Sequence, residues 1–264
     1  MKNIKLILTA ILNRFMYSGL RFKCNVCGKN LRHFISLYDI DGGRFVSDLK
    51  INGVIYKAHD YELLEIKNYL CPFCGAQDKV RLIHQYIENK LHNDIPNIRN
   101  ILHFAPENVH TEHYFQSQSN KPNYVKVDKF RFDIDVKLDI EHLPFLAESI
   151  DLIICSHVLE HVLNVNKSLR ELNRVMVKGG IAILIVPIML TLGKTHENLD
   201  NIPLEARVSE FGQEDHLRVY SKKGFINEIL EANFKITEYQ PCQNQNSTKT
   251  GLSSSATIYL CQKK

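Results

Sequence analysis

No apolar run in these 264 residues approaches the roughly 20 needed to cross a bilayer, so no transmembrane helix is expected. Glycine and proline are sparse, at 12 and 8 residues, which excludes a collagen-like repeat; a hydrophobic content of 44% excludes wholesale disorder. Negative charge is missing from the front of the chain. All seven charges before Asp39 are positive: Lys2, Lys5, Arg14, Arg21, Lys23, Lys29 and Arg32. An even cysteine count is also missing. Seven cysteines cannot all pair into a disulfide framework, and four of them form two Cys-x-x-Cys pairs. A thiol-bound metal in a reducing, cytoplasmic compartment explains that better.

The length fits one large domain, or one domain with a small module attached. Residues 1–100 carry fifteen Lys/Arg against nine Asp/Glu, and residues 101–264 carry eighteen against twenty. A basic front on a slightly acidic body suits contact with an anion such as RNA, a phosphorylated substrate or a lipid surface, and equally suits a solvated basic face. Residues 1–20 alternate apolar side chains (Ile4, Leu8, Ile11, Phe15) with Lys2, Lys5 and Arg14. Asn13 and Arg14 interrupt the run and no small-x-small cleavage site follows, which argues against a secretory signal. The pattern predicts an amphipathic helix that packs on the protein or makes peripheral membrane contact, packing being favoured.

Cys24-Asn25-Val26-Cys27-Gly28 and Cys71-Pro72-Phe73-Cys74-Gly75 are near-copies of one knuckle. Two thiolates three positions apart reach one tetrahedral ion, and the following glycine permits the tight turn that aims backbone N–H groups at sulfur. Together they supply the four sulfurs of a structural Zn site, a closed set with no open position for water. The 43 residues between Cys27 and Cys71 exceed ordinary ribbon spacing. A longer loop costs only about 0.6 kcal/mol per doubling, so the insertion is tolerable. Short strands are expected within it, at 34–37 and 54–56. A zinc-ribbon-like module is thus expected at residues 21–90.

From residue 91 to 264 strands and helices alternate, the sign of a parallel α/β sheet. Strands are expected at 100–105, 124–128, 136–140, 151–155, 181–186, 234–239 and 257–261, with helices at 158–163, 167–176 and 222–232. The predicted fold class is therefore α/β: a seven-stranded, mostly parallel Rossmann-like sheet with helices on both faces, plus the small N-terminal zinc module. In open sheets of this type ligands bind beyond the carboxyl ends of the strands. Ala105-Pro106-Glu107 follows the first strand, Asp128 ends the second, and Asp139-Ile140 ends the third. A carboxylate ending the second strand suits a ribose diol, because two acceptor oxygens match two hydroxyl donors.

These residues, with Ser149–Val162 around Ser156-His157-Val158-Leu159-Glu160-His161, and Glu171–Val175 followed by Lys178-Gly179-Gly180, resemble class I S-adenosylmethionine-dependent methyltransferases of the type 11 group. The resemblance covers residues 100 to about 262. It implies that Asp128 holds the ribose of S-adenosylmethionine and that Asp139 and Ile140 border its adenine. It implies that Phe104, Ala105 and Glu107 form the first loop, and that Ser156 and His157 face the methionine end and the substrate. The family's first loop usually carries an acidic residue and then glycines; here it reads His103-Phe104-Ala105-Pro106-Glu107, with none.

A hydroxyl acceptor must lose a proton during methyl transfer, and histidine is suited to take it. His157 and His216 are the candidates, the second within 211–220, where Asp215, Arg218 and Tyr220 offer polar contacts. His161 is expected in a structural hydrogen bond. The leading expectation is a methyltransferase acting on a small-molecule or glycan (sugar hydroxyl) acceptor, with a structural Zn. RNA base methylation, with the basic module docking nucleic acid, is the second. A catalytically dead, zinc-dependent docking protein is the third.

Overall fold

The computed structural model describes residues 15–41, 48–241 and 249–264. Residues 1–14 lie outside them, so most of the expected N-terminal helix is not described. Ser18–Leu20 belong to a strand, β1 (Ser18–Lys23), which pairs antiparallel with β2 (Asn30–Leu31) around the first knuckle. A short helix α1 (Leu37–Asp41) takes the place of the strand expected at 34–37; only Ile35 bridges there, to Leu70. β3 (Leu49–Ile51) and β4 (Val54–Tyr56) form a hairpin about Asn52-Gly53. Both turn residues have positive φ, 50° and 81°, as the two-residue turn that matches strand twist requires.

Helix α2 (Asp78–Tyr86) follows the second knuckle. Then come β5 (Asn100–Phe104), α3 (His110–Gln116), β6 (Asn123–Asp128), β7 (Val136–Lys137) and β8 (Ile150–Ser156). Next are α4 (Val165–Val175), β9 (Met176–Ile185), β10 (His196–Glu197), α5 (Leu204–Phe211) and β11 (Arg218–Val219). The described chain closes with α6 (Lys222–Glu231), β12 (Phe234–Tyr239) and β13 (Ile258–Lys263).

Seven strands form one sheet in the order β12-β13-β9-β8-β5-β6-β7. The pairs from β9 to β7 are parallel; β13 runs antiparallel to β9 and to β12. The central strands are buried on both faces, which is why their sequences read as continuous apolar runs. Alternation sorts their side chains. Leu102, Phe104, Ile153, Cys155, Ala182 and Leu184 join one core with Leu169 and Leu172 of α4 and Phe225 and Ile229 of α6. Ile101, Leu152, Ile154, Ile183 and Ile185 join the other with Leu82, Ile83 and Tyr86 of α2 and Phe115 of α3. Helices therefore cover both faces. The helix beside the second knuckle is one of the covering layers.

Three local expectations differ. The region 158–163 holds only a single 3-10 turn, Leu159–His161, because the chain must cross from the end of β8 to α4, whose start is fixed by the Asn164 side chain accepting from the Lys167 N–H at 2.9 Å. The strand expected at 181–186 begins earlier: β9 starts at Met176, directly after α4, so Lys178-Gly179-Gly180 lie inside it, with Gly179 at φ 76° where the β8–β9 register shifts. The third strand is short: β7 stops at Lys137, and Leu138–Ile140 form the loop beyond it.

Candidate active site and cysteine cluster

The sheet's carboxyl edge opens into two cavities. The first, 330 Å³, is lined by Phe104, Ala105, Asp128, Asp139, Ile140 and His157, together with Val158, His161 and Asp215. Six residues read from the sequence as cofactor-binding are thus brought around one cavity. Glu107 is not among them. It lines the second cavity, 490 Å³, where Lys79 of α2 pairs with it at 3.2 Å. Burial pushes the Glu107 carboxyl up, but Lys79 and His103 outweigh it and hold it below the usual carboxylate range. Ser156 ends β8 buried, its hydroxyl without a hydrogen-bond partner among the described residues, and lines neither cavity.

The Asp128 carboxylate uses Oδ1 to accept the N–H groups of Phe130 (2.7 Å) and Arg131 (2.9 Å), which turns the chain away from β6. Asp139 accepts from the Glu141 N–H at 3.0 Å and pairs with Lys129 at 2.7 Å. Burial pushes its carboxyl up; Lys129 and the Glu141 N–H together bring it below the ordinary range. The glycine-free loop still makes the turn that glycine usually makes. Ala105 sits at φ 45°, and its N–H donates to the Val127 carbonyl at 2.8 Å. His157 also has positive φ, 54°. A left-handed backbone costs a non-glycine residue about 1–2 kcal/mol, and two of the six described residues that adopt it, Ala105 and His157, line the 330 Å³ cavity.

Among the described residues, His157 is the one shared by the two cavities. Its Nδ1 lies 2.9 Å from Oε1 of Glu160, a fully buried carboxylate. The carboxylate accepts, so Nδ1 carries the proton and Nε2 keeps a lone pair. Burial alone would push Glu160 up; the charge and hydrogen bond of His157, with His216 and His161 nearby, bring it down to about 2. Such a pair is an oriented imidazole with a carboxylate that stabilises its protonated form. His216 lines the 490 Å³ cavity, buried, with Nδ1 3.2 Å from the Phe211 carbonyl; burial pulls it below the ordinary imidazole range. His161 bonds the Asp215 carbonyl at 3.2 Å, across to the 211–220 segment.

Arg218 and Tyr220 do not face either cavity. Arg218 donates to the carbonyls of Leu159 (2.8 Å) and Val162 (2.6 Å), and the Tyr220 hydroxyl donates to Leu159 at 3.3 Å. They clamp the turn that carries Glu160. The residues that sequence reasoning missed come from the long insertion: Tyr61, Leu63, Leu64 and Tyr69 line the 490 Å³ cavity with Asp78 and Lys79. Tyr61 reaches it because the chain bridges there to Met189, beyond β9. Burial and the Glu160 charge both push its hydroxyl well above the ordinary range.

The four knuckle cysteines converge beside this cavity's wall. Their sulfurs lie within 4.8 Å of one another, with Cys24–Cys74 at 3.8 Å and Cys27–Cys71 at 3.9 Å. A tetrahedral Zn–S₄ unit with bonds near 2.3 Å has sulfur–sulfur edges of about 3.8 Å, so the donor set fits zinc. Both knuckles use one geometry. Gly28 (φ 70°) donates to the Cys24 carbonyl at 2.8 Å, and Gly75 (φ 71°) to the Cys71 carbonyl at 2.9 Å.

Residues 108–184 match the family model Methyltransf_11, described as a methyltransferase domain. No curated protein matches the chain. Among solved structures, the chain is similar to the CurJ carbon methyltransferase, at 16% identity and a TM-score of 0.42 over 69% of this chain; it spans about half (52%) of that one. It is similar to the YcgJ protein of Bacillus subtilis, at 16% identity over 68% of this chain and 94% of that one, with a TM-score of 0.40. A third similarity is to a SAM-dependent methyltransferase from Archaeoglobus fulgidus, at 12% identity over 68% and 94% of the two chains, with a TM-score of 0.43. The domain match spans β6 to β9, the strands whose ends carry Asp128, Asp139 and His157.

Proposed function

We propose that the enzyme takes its methyl group from S-adenosylmethionine in the 330 Å³ cavity and delivers it to a hydroxyl of a small molecule or sugar in the 490 Å³ cavity. The observation that carries this reading is that His157 lines both, so one imidazole stands where donor and acceptor would meet. Asp128 would hold the ribose, its second oxygen accepting from a hydroxyl, with Asp139 and Ile140 beside the base. Bound S-adenosylmethionine supplies an electrophilic methyl on a sulfonium, and the protein's part is orientation, exclusion of water and proton removal. His157 Nε2 accepts the acceptor hydroxyl's proton, and Glu160 stabilises the resulting imidazolium. Four cysteines hold a Zn ion that fixes residues 69–79 as a wall of the acceptor cavity.

The test is transfer from methyl-labelled S-adenosylmethionine to a host lysate fractionated by size. The expected result is label in the low-mass, nuclease-resistant fraction, lost with His157→Gln. Label in an RNase-sensitive fraction would replace this reading with RNA methylation.

A further inference from the structure

We infer that Glu160, His161 and His216 form a binding site for a divalent transition-metal cation, separate from the cysteine cluster. One donor atom from each of the three side chains lies within 4.8 Å of the other two. Hydrogen bonding leaves metal-binding atoms spare on all three. His161 Nδ1 is 3.2 Å from the Asp215 carbonyl oxygen and 3.2 Å from Asp215 Oδ2, and His216 Nδ1 is 3.2 Å from the Phe211 carbonyl oxygen. Those oxygens can only accept, so both Nδ1 atoms carry the proton and both Nε2 atoms keep a lone pair. Metal-binding histidines are fixed in this way, the distal N–H held by a carbonyl or carboxylate.

Glu160 supplies the independent observation. Its side chain is fully buried; Oε1 accepts from His157, while Oε2 is buried with no hydrogen-bond partner among the described residues. An ionised oxygen in that position is costly to leave bare, and a cation removes the cost. One carboxylate oxygen and two imidazole nitrogens suit Mn²⁺, Fe²⁺ or Zn²⁺, with coordination positions left for an oxygen ligand.

The site's place gives it a role. His161 lines the 330 Å³ cavity and His216 the 490 Å³ cavity, so the ion would stand at their junction. The role rests on the hydroxyl-acceptor reading above; the ion's binding does not. A hydroxyl oxygen bound to the ion is more acidic. Its O–H bond breaks, the proton passes to His157 Nε2, and the electron pair stays on oxygen. The same carboxylate then serves both partners, one oxygen orienting His157 and the other holding the ion.

The experiment titrates protein carrying one equivalent of Zn²⁺ with MnCl₂ and follows free Mn²⁺ by electron paramagnetic resonance. Mn²⁺ prefers oxygen and nitrogen ligands to thiolates, so it reports the second site. Wild type should take up one Mn²⁺ per chain, and His216→Ala should weaken uptake about 100-fold or more. Glu160→Gln, nearly isosteric and still able to accept from His157, should do the same; it keeps the test open should His216→Ala fail to fold. No saturable uptake by wild type, or equal uptake by Glu160→Gln, overturns the site. S-adenosylhomocysteine affinity is measured in the same samples. Nucleoside binding without Mn²⁺ uptake rejects the metal site alone, while uptake without nucleoside binding rejects the cofactor assignment alone.

Discussion

Replacing Arg81 with Met should be among the most destabilising single changes in this protein. Arg81 is 0% exposed, on α2 next to the second knuckle. Nη1 donates to the carbonyls of Tyr69 (2.9 Å) and Ala76 (3.0 Å), Nη2 to those of Asn68 and Gly251, and Nε to that of Thr250 (3.2 Å). Its guanidinium carbon also lies 4.0 Å from the Phe34 ring centroid. One side chain therefore ties the chain on either side of Cys71 to a segment about 170 residues later. Hydrogen bonds from a charged donor contribute about 1.5–3 kcal/mol each, and burying the cation offsets part of the sum. Methionine fills similar volume without either effect, so the net loss should be about 3–5 kcal/mol, the range for breaking a buried charged network. For a chain of this size that corresponds to a melting temperature lower by about 10 °C. Scanning calorimetry of the zinc-loaded proteins measures it. Arg81→Lys should recover less than half, because one ammonium cannot span five carbonyls. A melting temperature for Arg81→Met within about 2 °C of wild type would refute the reasoning.

Three further outcomes are expected. Cys71→Ser should release zinc in a colorimetric assay and lower the melting temperature, since three sulfurs leave the set incomplete; retention of one tightly held zinc would contradict the four-sulfur site. Burial pushes the Glu228 carboxyl up to about 7, with Arg218 opposing. The folded chain thus holds that proton to higher pH than the unfolded one, so stability falls as pH rises from about 4.3 through about 7. Glu228→Gln should therefore gain about 2 kcal/mol at pH 8.5, allowing for partial exposure, and nothing at pH 4; equal gains in melting temperature at both would reject the cause. Ala105→Val places a branched side chain at φ 45°, which should destabilise by about 2 kcal/mol in urea unfolding; an unchanged midpoint would mean the turn is not held left-handed.

The sheet was legible because its strands are buried on both faces, so Asp151–Cys155 and Ile181–Val186 announce themselves as apolar runs at the right spacing. The knuckles were legible because thiolate geometry fixes Cys-x-x-Cys-Gly. Asp128 and Asp139 could be placed because strand ends in such sheets share an edge. The 490 Å³ cavity was not legible. Tyr61, Leu63 and Tyr69 sit in an insertion without periodicity, and only the bridge from Tyr61 to Met189 and the packing of Leu49 and Ile51 on Phe211 bring it there. Glu160 read as one acid on an expected helix at 158–163; its burial comes from Arg218 and Tyr220, some sixty residues away, clamping the carbonyls around it. Glu107 follows the same loop as Ala105, yet it pairs with Lys79 and lines the neighbouring cavity, a placement that spacing along the chain does not show.

Isothermal titration with S-adenosylhomocysteine, comparing wild type with Asp128→Asn, tests the account most directly. Asparagine keeps the oxygen that accepts from Phe130 and Arg131 and replaces the other with an amide that cannot accept from a ribose hydroxyl. Wild type should bind saturably and the variant about 30-fold more weakly, the worth of one hydrogen bond to a carboxylate. Wild-type binding with the variant within about threefold, or no wild-type binding, would contradict it.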